Sequence, residues 1–157
     1  MNARFPARLI ASFGGCGFVP AAAGTVGSLA ALLLGIPLMS LSPLALPVAA
    51  LLAACTGVWA IGKADAGNDP GWVVIDEVAG MWITMIPLAR PTPIGLLAAF
   101  LLFRLLDITK PGPIGWADRQ HNPAGVMADD LIAGAIAAGI LWALQSRWPG
   151  ILDGRLA

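Results

Sequence analysis

From Leu9 to Gly62 the chain carries no charged side chain. As one helix this stretch would reach ~80 Å, more than twice a ~30 Å hydrocarbon core, so it must fold back on itself. Pro37, Ser40, Ser42, Pro43 and Pro47 mark the place. The pattern predicts a first helix over Thr25–Met39 and a second over Leu44–Ile61. When charges return they come in two tight clusters, Lys63 to Glu77 and Arg104 to Asp130, which hold twelve of the eighteen charged side chains. Ionised groups beside hydrocarbon are costly and seldom kept without a task. The clusters therefore mark one polar working site in an apolar protein.

Composition agrees. Hydrophobic residues make up 58% and charged ones 11%, against about 25% charged in an ordinary soluble domain. Too little polar surface remains to coat a globule in water, so lipid is the expected solvent. A length of 157 residues suits one domain, 1–157. A net charge of zero offers no basic face, which speaks against nucleic acid as a partner. Cys16 and Cys55 read as small buried or lipid-facing residues, with no disulfide framework or metal spacing. In Met1–Gly17 the apolar run Leu9–Phe13 is shorter than the ~7–15 residues of a secretion signal, so the segment is expected to remain as an interfacial element.

Between Val78 and Phe103, Pro87, Pro91 and Pro93 with Arg90 predict a break. Helices over Ile75–Leu88 and Ile94–Thr109 then form a hairpin. Each would be only ~21–24 Å long, so both must thin the bilayer or shelter behind neighbours. A last helix is predicted over Asp130–Gln145, where Gly134 and Gly139 would admit a close neighbour. The expected fold is an all-α membrane bundle of about five helices with a proline-broken hairpin at 75–109. It gathers Gly24–Ser28, Lys63–Glu77, Arg104–Arg119 and Asp129–Asp130 at one membrane face. Arg4, Arg8, Lys63, Arg104, Lys110 and Arg119 lie with that face, and Arg90, Arg147 and Arg155 lie opposite, which predicts a cytoplasmic site. The six tryptophans, mostly near helix ends, read as an interfacial belt.

Asp76 and Glu77 open an apolar helix. One acid there is ordinary capping; two at the membrane edge suit a divalent-cation ligand pair. Arg104, Asp107 and Lys110 recur at i, i+3 and i+6, placing Asp107 between two cations on one helix face, and Asp118 and Arg119 follow within one loop. Carboxylates that hold a metal, interleaved with cations that neutralise phosphate oxygens, are what a metal-plus-phosphate site needs. Asp129 and Asp130 repeat the acidic pair at the start of the last helix, one of them its expected cap. With one histidine and no suitable cysteine, this oxygen-rich set suits Mg²⁺ or Mn²⁺ and not zinc. Gly24-Thr25-Val26-Gly27-Ser28, ahead of the first helix, could present free amides to an anion. His121 sits in a surface-like turn and reads as a loop residue without a role. A cysteine-phosphatase loop, an aspartyl-phosphate DxD, a paired histidine and a G-x-x-x-x-G-K-[ST] loop are all missing.

Four stretches, GFVPAAAGTVGSL (17–29), DPGWVVIDEVAGMWIT (69–84), FRLLDITKPGPI (103–114) and DRQHNPAGVMADDLIAG (118–134), together resemble the phosphatidylglycerophosphatase A family of bacterial membranes. The likeness covers nearly the whole chain, and the motifs occur in the family's order. It implies Mg²⁺-dependent removal of the terminal phosphate of phosphatidylglycerophosphate, giving phosphatidylglycerol, at the bacterial inner membrane. Asp76 and Glu77 fall on the family's DE pair, Asp107 and Lys110 on its FRxxDxxKP motif, and Asp129 and Asp130 on its DD pair. Asp118 and Arg119 fall on its DR pair, and Gly24, Thr25, Gly27 and Ser28 on its GTxGS loop. The expected assignment gives catalysis to Asp76, Glu77, Asp107, Lys110, Asp129 and Asp130, with all five acids as metal ligands. Gly24, Thr25, Gly27, Ser28, Arg104, Asp118 and Arg119 are expected to bind substrate. The alternative is a small membrane carrier or scaffold, disfavoured because the charges gather at helix ends and not in mid-span.

Overall fold

A computed structural model describes residues 4–153, which form helices and turns with no strand among them. Seven α-helices follow in order: α1 Arg4–Ala11, α2 Ala23–Leu41, α3 Ala45–Ala64, α4 Ile75–Met85, α5 Pro93–Thr109, α6 Pro113–Asp118 and α7 Pro123–Arg147. The class is as expected. The five predicted helices are α2, α3, α4, α5 and α7, and the two additional ones are short.

α2, α3 and α7 are long and apolar enough to cross a membrane. Their outward faces carry leucines, among them Leu33 and Leu34 on α2 and Leu51 and Leu52 on α3. A surface built this way is solvated by lipid chains. The direction of each helix is fixed by its close contacts. Gly27 lies against Val74 and Gly35 against Met85, so α2 runs parallel to α4. Gln145 donates to the Pro87 carbonyl at 3.2 Å, while Gly80 meets Asp130 and Gly134, so α7 also runs parallel to α4. Gly62, near the end of α3, faces Pro123 at the start of α7. The starts of α2, α4 and α7 and the ends of α3 and α5 therefore share one end of the bundle, and every charged cluster is there. Arg90 and Arg147 belong to the other end; Arg155 lies outside the described residues.

α4 is the shortest of the five and the most enclosed. It stops at Met85, three residues before the predicted Leu88, and at ~16 Å it could not cross a bilayer alone. Instead α2, α3 and α7 pack around it, and Val78, Ala79, Met81 and Met85 are fully buried. The predicted break is present at 86–92. There Thr92 caps α5 by accepting the Gly95 N–H at 3.1 Å, with Pro93 in the first turn.

Other boundaries differ from expectation. α2 runs through Pro37 to Leu41, and the turn falls at 42–44, where the Ser42 hydroxyl accepts the Leu44 N–H at 3.2 Å. α7 begins at Pro123, not Asp130. Asn122 is its cap, accepting the N–H groups of Ala124 and Gly125 at 3.0 and 2.9 Å, so neither Asp129 nor Asp130 has that task. Of the two glycines expected to admit a neighbour, Gly134 does and Gly139 faces open space. Trp82 does not join an interfacial belt: its indole N–H donates to Ala31 O at 2.8 Å and ties α4 to α2.

The N-terminal segment, expected to be interfacial, contains α1, which has one buried and one outward face. Ala7 and Ala11 are buried while Phe5 and Leu9 point outward, and the Arg8 guanidinium lies 5.1 Å from the Trp72 ring centre. Cys55 is exposed and Cys16 half-buried, both unpaired.

Candidate active site

The first turn of α4 carries two acids, and each does something different. Asp76 is buried and accepts the Glu77 N–H through Oδ1 at 3.1 Å, satisfying an amide that Val74 cannot cap. Glu77 reaches towards α2. From α7 comes Asp130, also buried. One carboxylate oxygen from each of Asp76, Glu77 and Asp130 lies within 4.8 Å of the other two. Glu77 Oε2 and Asp130 Oδ1 are buried without a hydrogen-bond partner among the described residues. Three crowded, desolvated carboxylates with unsatisfied oxygens repel one another until a cation joins them. A hard divalent ion fits this donor set; His121, the one imidazole, is exposed between α6 and α7 and is not part of the group.

Arg104 closes one side. Its guanidinium pairs with Asp107, lies 4.0 Å from Glu77 Oε1, and donates to Ser28 Oγ at 3.4 Å. Its Nε is buried with no hydrogen-bond partner among the described residues, a donor left over beside the carboxylates. Ser28, fully buried, donates in turn to the Gly24 carbonyl at 2.7 Å. The segment 24–28 is not a loop ahead of the helix, as expected, but the first turns of α2. Gly24 faces Glu77 and Arg104, and Gly27 faces Val74, where an added Cβ would fall 2.7 Å from the valine's own. Thr25 is half-buried beside them.

Lys110 does not share Asp107 with Arg104, as its spacing suggested. Pro111 forces the chain out of the helix, and Lys110 takes a left-handed conformation at φ 43°. That turn directs its ammonium to Asp118 and, at 2.7 Å, to Asp129. Burial works to lower the Lys110 pKa, but hydrogen bonds to the two carboxylates outweigh it and the group is held above its ordinary value. Adjacent acids on α7 thus divide: Asp129 faces Lys110, and Asp130 faces Asp76 and Glu77. The three-oxygen group omits Asp107 and Asp129, each of which is held by a cation at its edge. Arg119 ends α6, exposed and without an ion pair among the described residues.

One residue escaped the sequence reading. Asp69, in the loop between α3 and α4, has a left-handed backbone at φ 50° and sits near Lys110, Asp118 and Asp107. One flank is open to solvent. On the crowded side, loss of water raises its carboxyl pKa most; Lys110 opposes this, and Asp118 and Asp107 add to it. Its signal was an aspartate before a proline and a glycine, which reads simply as a turn.

Residues 9–145 match the family model for phosphatidylglycerophosphatase A. The chain belongs to that family. It is 42% identical to phosphatidylglycerophosphatase A of Escherichia coli (strain K12), covering 94% of this chain and 89% of the relative. The Haemophilus influenzae protein of the same name is 37% identical, covering 89% of each. A Bacteroides thetaiotaomicron protein named "Putative phosphatidylinositol-3-phosphatase" is 40% identical, covering 89% of this chain and 92% of the relative. No solved structure matches. Family membership makes this helical bundle a phosphatase with a phospholipid substrate and membrane association.

Proposed function

We propose that the chain hydrolyses the terminal phosphate of phosphatidylglycerophosphate to give phosphatidylglycerol, with Mg²⁺, at the cytoplasmic face of a bacterial inner membrane. The observation that carries this reading is the convergence of Asp76, Glu77 and Asp130, with two orphaned oxygens, beside the Arg104 guanidinium. Asp76, Glu77 and Asp130 would hold the metal, with Asp107 and Asp129 at the edge of the site. Bound there, the ion supplies positive charge that polarises a phosphate oxygen.

The remaining work falls to the protein's own cations and dipoles. Arg104 carries a free buried N–H and is held in aim by Asp107 and Ser28. Lys110, steadied by Asp118 and Asp129, and the exposed Arg119 add charge for the equatorial oxygens, where positioning and electrostatics supply most of the catalysis. The first turn of α2, from Gly24 and Thr25 through Gly27 and Ser28, points its positive end at the same region. In the reaction a water oxygen bonds to phosphorus and the water gives up a proton, while the ester bond to glycerol breaks and the departing alkoxide takes up a proton, so that none is gained or lost overall. The acyl chains remain in lipid beside the leucine faces of the long helices.

The test is phosphate release by purified protein from phosphatidylglycerophosphate, phosphatidic acid and phosphatidylinositol 3-phosphate, with and without chelator. Fastest release from the first, lost on chelation and restored by Mg²⁺, is expected. Preference for the inositol lipid would transfer the substrate assignment, and no release at all would favour a carrier or scaffold.

A further inference from the structure

α2 and α4 meet at a point where one of them has no side chain. A Cβ on Gly24 would press directly on Glu77 Oε1 and fall 3.2 Å from Arg104 Nη1. Gly24 is an ordinary helical residue with no left-handed backbone, so conformational freedom does not explain a glycine there. Space does. The missing methyl is the volume that the Glu77 carboxylate occupies. The same turn seats the guanidinium opposite, through Gly24 O to Ser28 Oγ to Arg104.

We infer that Gly24 is a positioning residue for Glu77: its bare backbone is the seat that sets the carboxylate among Asp76 and Asp130, and it acts on metal binding rather than by touching the lipid. The inference rests on the reading of Glu77 as a metal-holding carboxylate. What an added methyl would displace is the end of a flexible side chain, not backbone. The fold should therefore survive the substitution while the carboxylate moves. Alanine is also the better helix former, so the two effects have opposite signs.

The experiment compares wild type, Gly24→Ala, Glu77→Gln and the double variant Gly24→Ala/Glu77→Asp in detergent. Mn²⁺ binding is followed by electron paramagnetic resonance, thermal unfolding without metal by circular dichroism, and the KM for lipid in parallel. Gly24→Ala is expected to weaken Mn²⁺ binding about tenfold, the scale on which displaced supporting groups act. The metal-free midpoint should be unchanged or higher and the lipid KM within about twofold. Shortening Glu77 to Asp draws the carboxylate back from the added methyl and should restore part of the affinity. Unchanged Mn²⁺ binding in Gly24→Ala, or a raised lipid KM with metal binding intact, overturns the inference. Failure of both the single and the double variant to fold also overturns it, because the clash then lies elsewhere. Unchanged Mn²⁺ binding in Glu77→Gln refutes instead the metal role of Glu77 on which it stands.

Discussion

Gly134 on α7 lies directly against the backbone of Gly80 on α4, so close that a Cβ at Gly134 would fall 3.0 Å from Gly80 Cα. Gly80 follows Asp76 by one helical turn, and Gly134 follows Asp130 by one turn. Two parallel helices in contact at this point must therefore present their acids side by side one turn away. Thr84 stands at the same crossing: its hydroxyl donates to Gly80 O within α4 at 2.9 Å and lies 3.5 Å from Gly134 O on α7. The meeting of the three carboxylates is thus a consequence of helix register.

Gly134→Val should part α4 from α7. Overpacking of this kind costs about 1–3 kcal/mol, and a shift of even 1 Å would separate the three carboxylates. The expected outcome is a lower thermal midpoint in detergent together with loss of phosphate release. Gly139→Val, which meets open space, should leave both unchanged.

The acids themselves separate by role. Glu77→Gln and Asp130→Asn are expected to lower phosphate release at least about 100-fold, equivalent to ~2.7 kcal/mol of transition-state stabilisation. Protein yield should be unchanged, because removing one of three crowded charges relieves repulsion. Asp107→Asn should do comparable damage by releasing Arg104. Full activity in any of the three, at normal protein level, would defeat the assignment of that residue.

Lys110 joins α5 to α6 and α7. Lys110→Met leaves Asp129 with its charge and without its cation in a site where that side chain is 7% exposed. The expected cost is about 1–3 kcal/mol, seen as a reduced midpoint of unfolding. Adding Asp129→Asn removes the orphaned charge and should recover part of the stability, but not the activity. A double-mutant cycle in which the two effects simply add would refute the pairing.

Topology has its own test. In a background with Cys16 and Cys55 replaced by alanine, His121→Cys should react with an impermeant thiol reagent only from the cytoplasmic side. Arg90→Cys should react only from the other. Labelling of both from one face would contradict the hairpin of α4 and α5 and the shared site with it.

How much of this was legible in the chain depends on whether the signal was local. The proline run near 87–93 announced a break, because proline removes a donor and clashes with the preceding turn. The clustering of charge at predicted helix ends announced a single polar face. Lys110 misled because spacing on a helix says nothing once the helix has ended, and the left-handed residue before Pro111 turned it away from Asp107. Asp129 and Asp130 resemble a helix start, but the cap is Asn122, seven residues before Asp129 and followed by Pro123. Asp69 looked like turn chemistry. Nothing in its own neighbourhood could say that it would face Lys110.

The sequence alone determined an apolar helical bundle, the alternation of its helices and the end at which the charges gather, since each follows from the cost of placing ions and unpaired backbone in hydrocarbon. Only the tertiary structure decided which carboxylates meet. That choice depends on glycines 80 and 134, whose effect is the distance at which two helices touch, and a residue without a side chain shows its partner only once the partner is in place.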